Sequence, residues 1–368
     1  MLTAISPAND HNDGDLAYIP DAAKRLPLPH MVLLTLILGT DCKFSYRPVE
    51  KTAWAMRLKF KETPIRLEHG KFGMRIATVK PPDERLLNEF VKLLEKAFPL
   101  TDEILQPHVE QQIRAGNVTV RNRHHLFRHR YEFLREEAKR AFAQPSPDLG
   151  DLIRGALSER KAVRSADPFK PEREGFFLGG AAIDAYFSWL EHILLLILPF
   201  AKSDLADLDM VEFMRANWRE KLKAVWNVST SRERKNLYDG LLEIKERFRN
   251  PITHGGFDAS QSSLGIHMPY VGAIPANLSR FTESIHFGIF PLQEASFADA
   301  CQLFDAVDKE LWEGDTSYGM TFADSGLDVS FDAEMRKKYE AAMTSHEDFC
   351  DWLEGLGRYL DDLVNMDW

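Results

Sequence analysis

Cysteine is scarce in this chain: three among 368 residues, Cys42, Cys301 and Cys350, far apart in sequence. No two stand at metal-ligand spacing, which excludes a disulfide framework and a cysteine-based structural zinc site and fits a reducing cytoplasm. Excess positive charge is also lacking. The formal net charge is −10, which excludes a uniformly basic nucleic-acid binder, so contact with nucleic acid would need a local basic patch. The opening residues, MLTAISPANDHNDGDLAYIPD, have neither a basic nor an apolar signal-peptide region. No apolar run of membrane-spanning length is free of charge. The longest, Phe176 to Phe200, approaches a membrane span in length but carries Asp184, Glu191 and His192. Three ionisable residues in mid-span are costly, so a buried core helix is expected and no membrane partner. There is no Gly-rich phosphate loop, Ser-His-Asp set or paired metal-binding carboxylate motif, so neither a cofactor nor a metal is expected.

What is present reads as mainly α. Residues 1–24 are polar and rich in Pro, Asp and Asn, and are expected to form a flexible tail. Residues 25–165 read as a smaller α+β domain. The alternation in MRLKFK and FGMRIATV predicts two or three antiparallel strands. ERLLNEFVKLLEKAF and HHLFRHRYEFLREEAKRAFA have helical spacing, and the Pro-rich stretch around 165–175 reads as a linker. The second half is helical apart from a short hairpin expected in SSLGIHMPYVGAIPA. We assign 172–315 to a helical domain and 316–368 to C-terminal helices packed on it.

ERFRNPITHGGFD, Glu246 to Asp258, concentrates unusual residues. Leu241, Ile244 and Phe248 lie three and then four apart, one buried helix face. Pro251 lacks an N–H and disfavours helix at Asn250, so the helix should stop near Arg249. Asn250 is a good N-cap, Pro251 a favoured first helical residue, and Gly255-Gly256 lets the chain leave. Backbone needs do not explain Arg249 or His254. In a continuous helix these two would stand about 140° apart, an angle that a break at Asn250 alters.

The pattern Arg249-Asn250-x-x-x-His254-Gly255, at the end of a helix and downstream of an apolar helix with embedded acids, resembles the signature of the HEPN superfamily. The resemblance covers roughly residues 172–315. Pro251 inside the motif departs from a typical member. The resemblance implies a HEPN-like helical bundle and a metal-independent endoribonuclease that uses the RNA 2′-OH as nucleophile. His254 would act as acid or base, Arg249 would hold the phosphate and Asn250 would orient either one. It also implies a homodimer with a composite active site, a cytoplasmic toxin or antiviral defence role, and a regulatory protein partner. Such chemistry needs an acid, a base and positive charge on the transition state, which His and Arg supply. Some members only bind RNA or proteins, or dimerise, so a non-catalytic module is the alternative. A local reading also stands: Arg249 meets the last helix carbonyls and His254 packs nearby.

Asp184, Ser188 and Glu191 are spaced four and three apart, a polar stripe on an apolar helix. Glu191 could pair with Arg249 or hold His254, or the stripe could face solvent. Residues 121–140 carry seven Arg or Lys against three Glu, 7 − 3 = +4, with aromatics interleaved. Arg121, Arg123, Arg128 and Arg130 are the candidate RNA-binding residues. The more ordinary reading is a solvated helix face whose Arg residues pair with acids.

Overall fold

The computed structural model describes residues 2–8, 16–18, 26, 28–45, 52–70, 73–79, 83–145, 169–201, 209–229, 231–249, 264–270, 272–278, 285–287 and 290–365. It is mainly α with a small antiparallel sheet region toward the N-terminus. The chain divides into two compact units, Met1–Gln112 with Gly355–Trp368, and Ile113–Glu354.

The first unit runs β1 (Ile5–Pro7), β2 (Leu16–Tyr18), α1 (Pro29–Gly39), β3 (Phe44–Ser45), β4 (Thr52–Phe60), β5 (Thr63–Gly70), β6 (Gly73–Val79) and α2 (Glu84–Arg114). The antiparallel order is β1-β4-β5-β6-β2, with β3 sharing the β1 edge of β4. The period-2 pattern buries Met56, Leu58 and Phe60 on one face with Leu67 and Ile76. Lys61 and Glu62 turn the β4–β5 hairpin with positive φ at both positions, as a two-residue turn of this hand requires. Leu87, Phe90, Val91 and Leu94 of α2 and Val32 and Leu36 of α1 complete this core. A hydrogen bond from Thr35 Oγ1 to Thr101 Oγ1 (2.9 Å) joins the two helices. The helix expected to end near Phe98 runs on through Pro99 and Pro107.

Residues 1–24 are not simply a loose tail. Residues 5–7 pair with β4, residues 16–18 pair with β6, and Leu2 and Ile5 are buried. Open sheet edges present unpaired backbone groups, and three-residue strands can satisfy them even when the flanking sequence is polar.

The second unit contains β7 (Thr119–Val120), α3 (His124–Phe142), α4 (Lys170–Ala201), α5 (Met210–Arg215), α6 (Trp218–Val225), α7 (Arg232–Ile244), β8 (Leu264–Met268), β9 (Gly272–Leu278), β10 (Ile285–Phe287), α8 (Glu294–Glu313), α9 (Ser317–Asp324), β11 (Val329–Ser330), α10 (Ala333–Ala342) and the first turns of α11 (His346–Asn365). A π-helical turn, Lys245–Arg249, extends α7. α4 is long and apolar enough to cross a membrane. Here it is the central helix, packed along α3 and touched by α6, α8, α9 and α10. A helix apolar on most sides needs such cover. The hairpin expected near Gly265 is β8–β9, with β10 added on the β9 edge.

The units therefore divide near residue 112, not near 165. α3 lies along α4 and belongs with it, through Tyr131 against Tyr186 (ring centroids 5.1 Å) and Tyr186 stacked on Phe304 at 3.7 Å. After residue 315, α9 and α10 pack on α4 within the same unit. Inside this core Asp308 accepts hydrogen bonds from Tyr186 Oη (2.9 Å) and Arg128 Nη1 (2.5 Å). Burial raises the pKa of Asp308, and the Arg128 guanidinium opposes that rise.

Candidate functional site

Leu241, Ile244 and Phe248 are buried, and the described helix ends at Arg249 in the π turn. Such turns interrupt α-helices where side chains must be re-aimed, often at functional positions. Asn250 and His254 lie outside the described residues.

Arg249 reaches back to α4. Its Nε donates to Asp184 Oδ1 at 2.9 Å, and its Nη1 lies 3.6 Å from Glu191 Oε1. The guanidinium carbon sits 5.3 Å from the Phe187 ring centroid. Residues 184, 187 and 191 are spaced three and four apart on one face of α4, so a single Arg spans two helical turns. Ser188 does not join them: its hydroxyl donates to the Asp184 carbonyl at 2.9 Å. Arg249 Nη2 has no hydrogen-bond partner among the described residues.

Two lysines near this pair were not singled out from the sequence. Lys221 of α6 is 7% exposed. Burial lowers its pKa and Glu191 opposes the shift. Lys245 begins the π turn, with Nζ 5.5 Å from the Trp218 ring. Burial, then Arg249 and Arg219, depress its pKa, while Glu191 and Glu246 raise it. Glu191 is thus the shared counter-charge of Arg249, Lys221 and Lys245. The signal for Lys221 was available: Trp218, Lys221, Leu222 and Val225 hold i, i+3, i+4 and i+7 positions, so a lysine occupies a core stripe. The arrangement can hold an anion against Arg249 and the lysines, with carboxylates fixing the guanidinium in place.

The basic stretch 121–140 divides by environment. Arg128 does not face phosphate. It is held by Asp308 and by Glu132 (2.8 Å), with its guanidinium 5.0 Å from the Trp189 ring. This corrects its assignment as an RNA-binding residue, because its fork is already filled by carboxylates. Arg135 makes a bidentate pair with Asp305, at 2.5 and 2.6 Å. Arg121, Arg123 and Arg130 are exposed. The Arg123 backbone N–H donates to His192 Nε2 at 3.0 Å, and Arg130 lies 5.9 Å from the Phe127 ring.

At the start of α3, a cavity of about 230 Å³ is lined by His124, His125 and Arg128 of α3, Trp189 of α4, Trp312 of α8 and Asp324 of α9, among others. Trp189 Nε1–H donates to His124 Nδ1 at 3.2 Å. His125 Nε2 donates to the Asp324 carbonyl at 2.8 Å. Ligand atoms of His124, His125 and Asp324 lie within 4.8 Å of one another, a spacing that could hold a metal ion. Hydrogen-bond polarity argues against one. A ligating histidine donates its second ring N–H to an acceptor, whereas His124 Nδ1 faces a donor. The positive end of α3 and nearby Arg128 also disfavour a cation.

Fold and site together define a mainly α-helical protein with two compact units, in which an arginine of the π turn is clamped by two carboxylates of the central helix. No family model, curated protein or solved structure matches this chain.

Proposed function

We propose that this chain is a metal-independent endoribonuclease of the HEPN type. The observation that carries the reading is the seating of Arg249, held in the π turn against Asp184 and Glu191 on the polar stripe of the apolar helix α4. Arg249, oriented through Nε and Nη1, offers its remaining N–H groups to a phosphate oxygen and stabilises the transition state. His254 takes the 2′-OH proton or returns one to the leaving 5′-oxygen, and Asn250 orients the phosphate or the imidazole. Glu191 acts through Arg249 as a positioning residue. Arg121, Arg123 and Arg130 contribute exposed charge for the RNA backbone. The second half of the acid–base pair comes from a second copy, in a homodimer with a composite site. A cytoplasmic toxin-like or antiviral role, restrained by a partner protein, follows by family analogy.

The rival is a non-catalytic RNA-binding or dimerisation module of the same fold. The two carboxylates on Arg249 favour it, since a neutralised arginine can be purely structural. Purified chain incubated with total RNA and EDTA separates them. Cleavage by the wild type, reduced at least about 100-fold in Arg249→Ala and His254→Ala, supports the enzyme. An intact substrate, or variants as active as wild type, supports the module.

A further inference from the structure

We propose that the cavity at the start of α3 binds a nucleobase by its hydrogen-bonding edge. The proposal rests on the RNA reading above for its natural ligand, a base of single-stranded RNA.

The argument begins at His124, which is 4% exposed. Trp189 Nε1–H occupies its Nδ1 lone pair, so in the neutral ring the proton sits on Nε2. Burial keeps that ring neutral well below pH 7. Nε2–H faces Asp324 Oδ1 across 3.9 Å, too far for a hydrogen bond. Among the described residues it has no other acceptor. A donor on a buried ring and an exposed carboxylate acceptor therefore stand side by side on the wall of a cavity, too far apart to bond each other.

Each RNA base presents the complementary pair on its Watson–Crick edge: an acceptor beside a donor, such as adenine N1 and N6 or guanine O6 and N1. Flat surfaces for stacking are in place. Trp312 is 40% exposed at the rim, and the exposed His125 and His129 rings lie 6.0 Å apart, tilted by 31°. Bases stack on such surfaces without regard to sequence. The volume, about 230 Å³, suits one base rather than a drug-sized molecule. Arg121, Arg123 and Arg130 are exposed on the same stretch and can meet the attached phosphates.

The test is equilibrium titration of the full chain with the four ribonucleoside 5′-monophosphates. Ribose 5-phosphate serves as a competitor and Zn²⁺ alone as a separate titrant. At least one nucleotide should bind saturably, with no competition from ribose 5-phosphate. Asp324→Asn should weaken that binding about 10-fold, and Trp312→Ala about 10-fold while Trp312→Phe retains most of it. The melting temperatures of these variants should match the wild type. Absence of binding by all four nucleotides, or affinity unchanged in both Asp324→Asn and Trp312→Ala, overturns the proposal. Zn²⁺ binding that needs Asp324, without nucleotide binding, overturns it in favour of a metal site. Nucleotide binding without RNA cleavage sinks the nuclease reading alone, and cleavage without nucleotide binding sinks the base site alone.

Discussion

His124 and His192 are both held as neutral rings inside the second unit, which limits its tolerance of acid. Desolvation lowers each pKa from 6.5 to about 4. His125 and Arg128 push His124 further down, while Asp324 and Glu132 partly oppose them. Because folding lowers these values, the unfolded chain takes up protons first. Their contribution to stability is complete above about pH 6.5 and is lost as pH falls toward 4. His124 alone should remove about 3 kcal/mol over that window. Denaturant unfolding across pH 4–7 checks this, with His124→Asn expected to flatten the curve; an equally steep curve for that variant contradicts the assignment. At this scale the sequence was legible where spacing decides. Asp184 and Glu191 share a face, and both meet Arg249. It was not legible for Arg128, whose partner Asp308 lies 180 residues away. Nor could spacing show that Ser188 would turn back onto its own helix.

Elements followed their local patterns wherever burial was periodic. The central helix, the strands of MRLKF and GMRIATV, and the helix through Leu241, Ile244 and Phe248 all have their apolar residues at helix or strand spacing. The short strands at residues 5–7 and 16–18 were not legible, because edge pairing draws on backbone groups rather than side-chain pattern. Close helix contact at a glycine gives an element-scale prediction. A Cβ at Gly319 of α9 would stand 2.7 Å from Ile197 Cβ and 3.0 Å from its Cα on α4, and backbone cannot give way. Gly319→Ala should lower stability by about 1–3 kcal/mol. A Cβ at Gly357 of α11 would meet nothing within 4 Å, so Gly357→Ala should raise stability by about 0.5–1 kcal/mol. Urea midpoints for both variants test the pair, and a shift of the same sign at both sites contradicts the packing account.

Across the whole molecule, the mainly α class was evident from helical periodicity, but the division into units was not. α3 follows the strands in sequence, yet its apolar face is answered by α4, which follows it in the chain. No local signal in α3 names that partner. The site is equally divided. Arg249 and its carboxylates come together in the described fold, while Asn250 and His254 are outside it, so their chemistry rests on the motif. With a net charge of −10, contact with a polyanion would need local cations such as the exposed Arg121, Arg123 and Arg130. The central claim is that the RNA 2′-OH is the nucleophile and that Arg249 and His254 act on it. Its most direct measurement is the chemistry of the cut ends, from a synthetic RNA and its all-deoxy counterpart incubated with the full chain in EDTA. The account predicts 2′,3′-cyclic phosphate and 5′-OH ends from the RNA and no cleavage of the DNA. Ends bearing 3′-OH and 5′-phosphate, or cleavage of the deoxy strand, would contradict it.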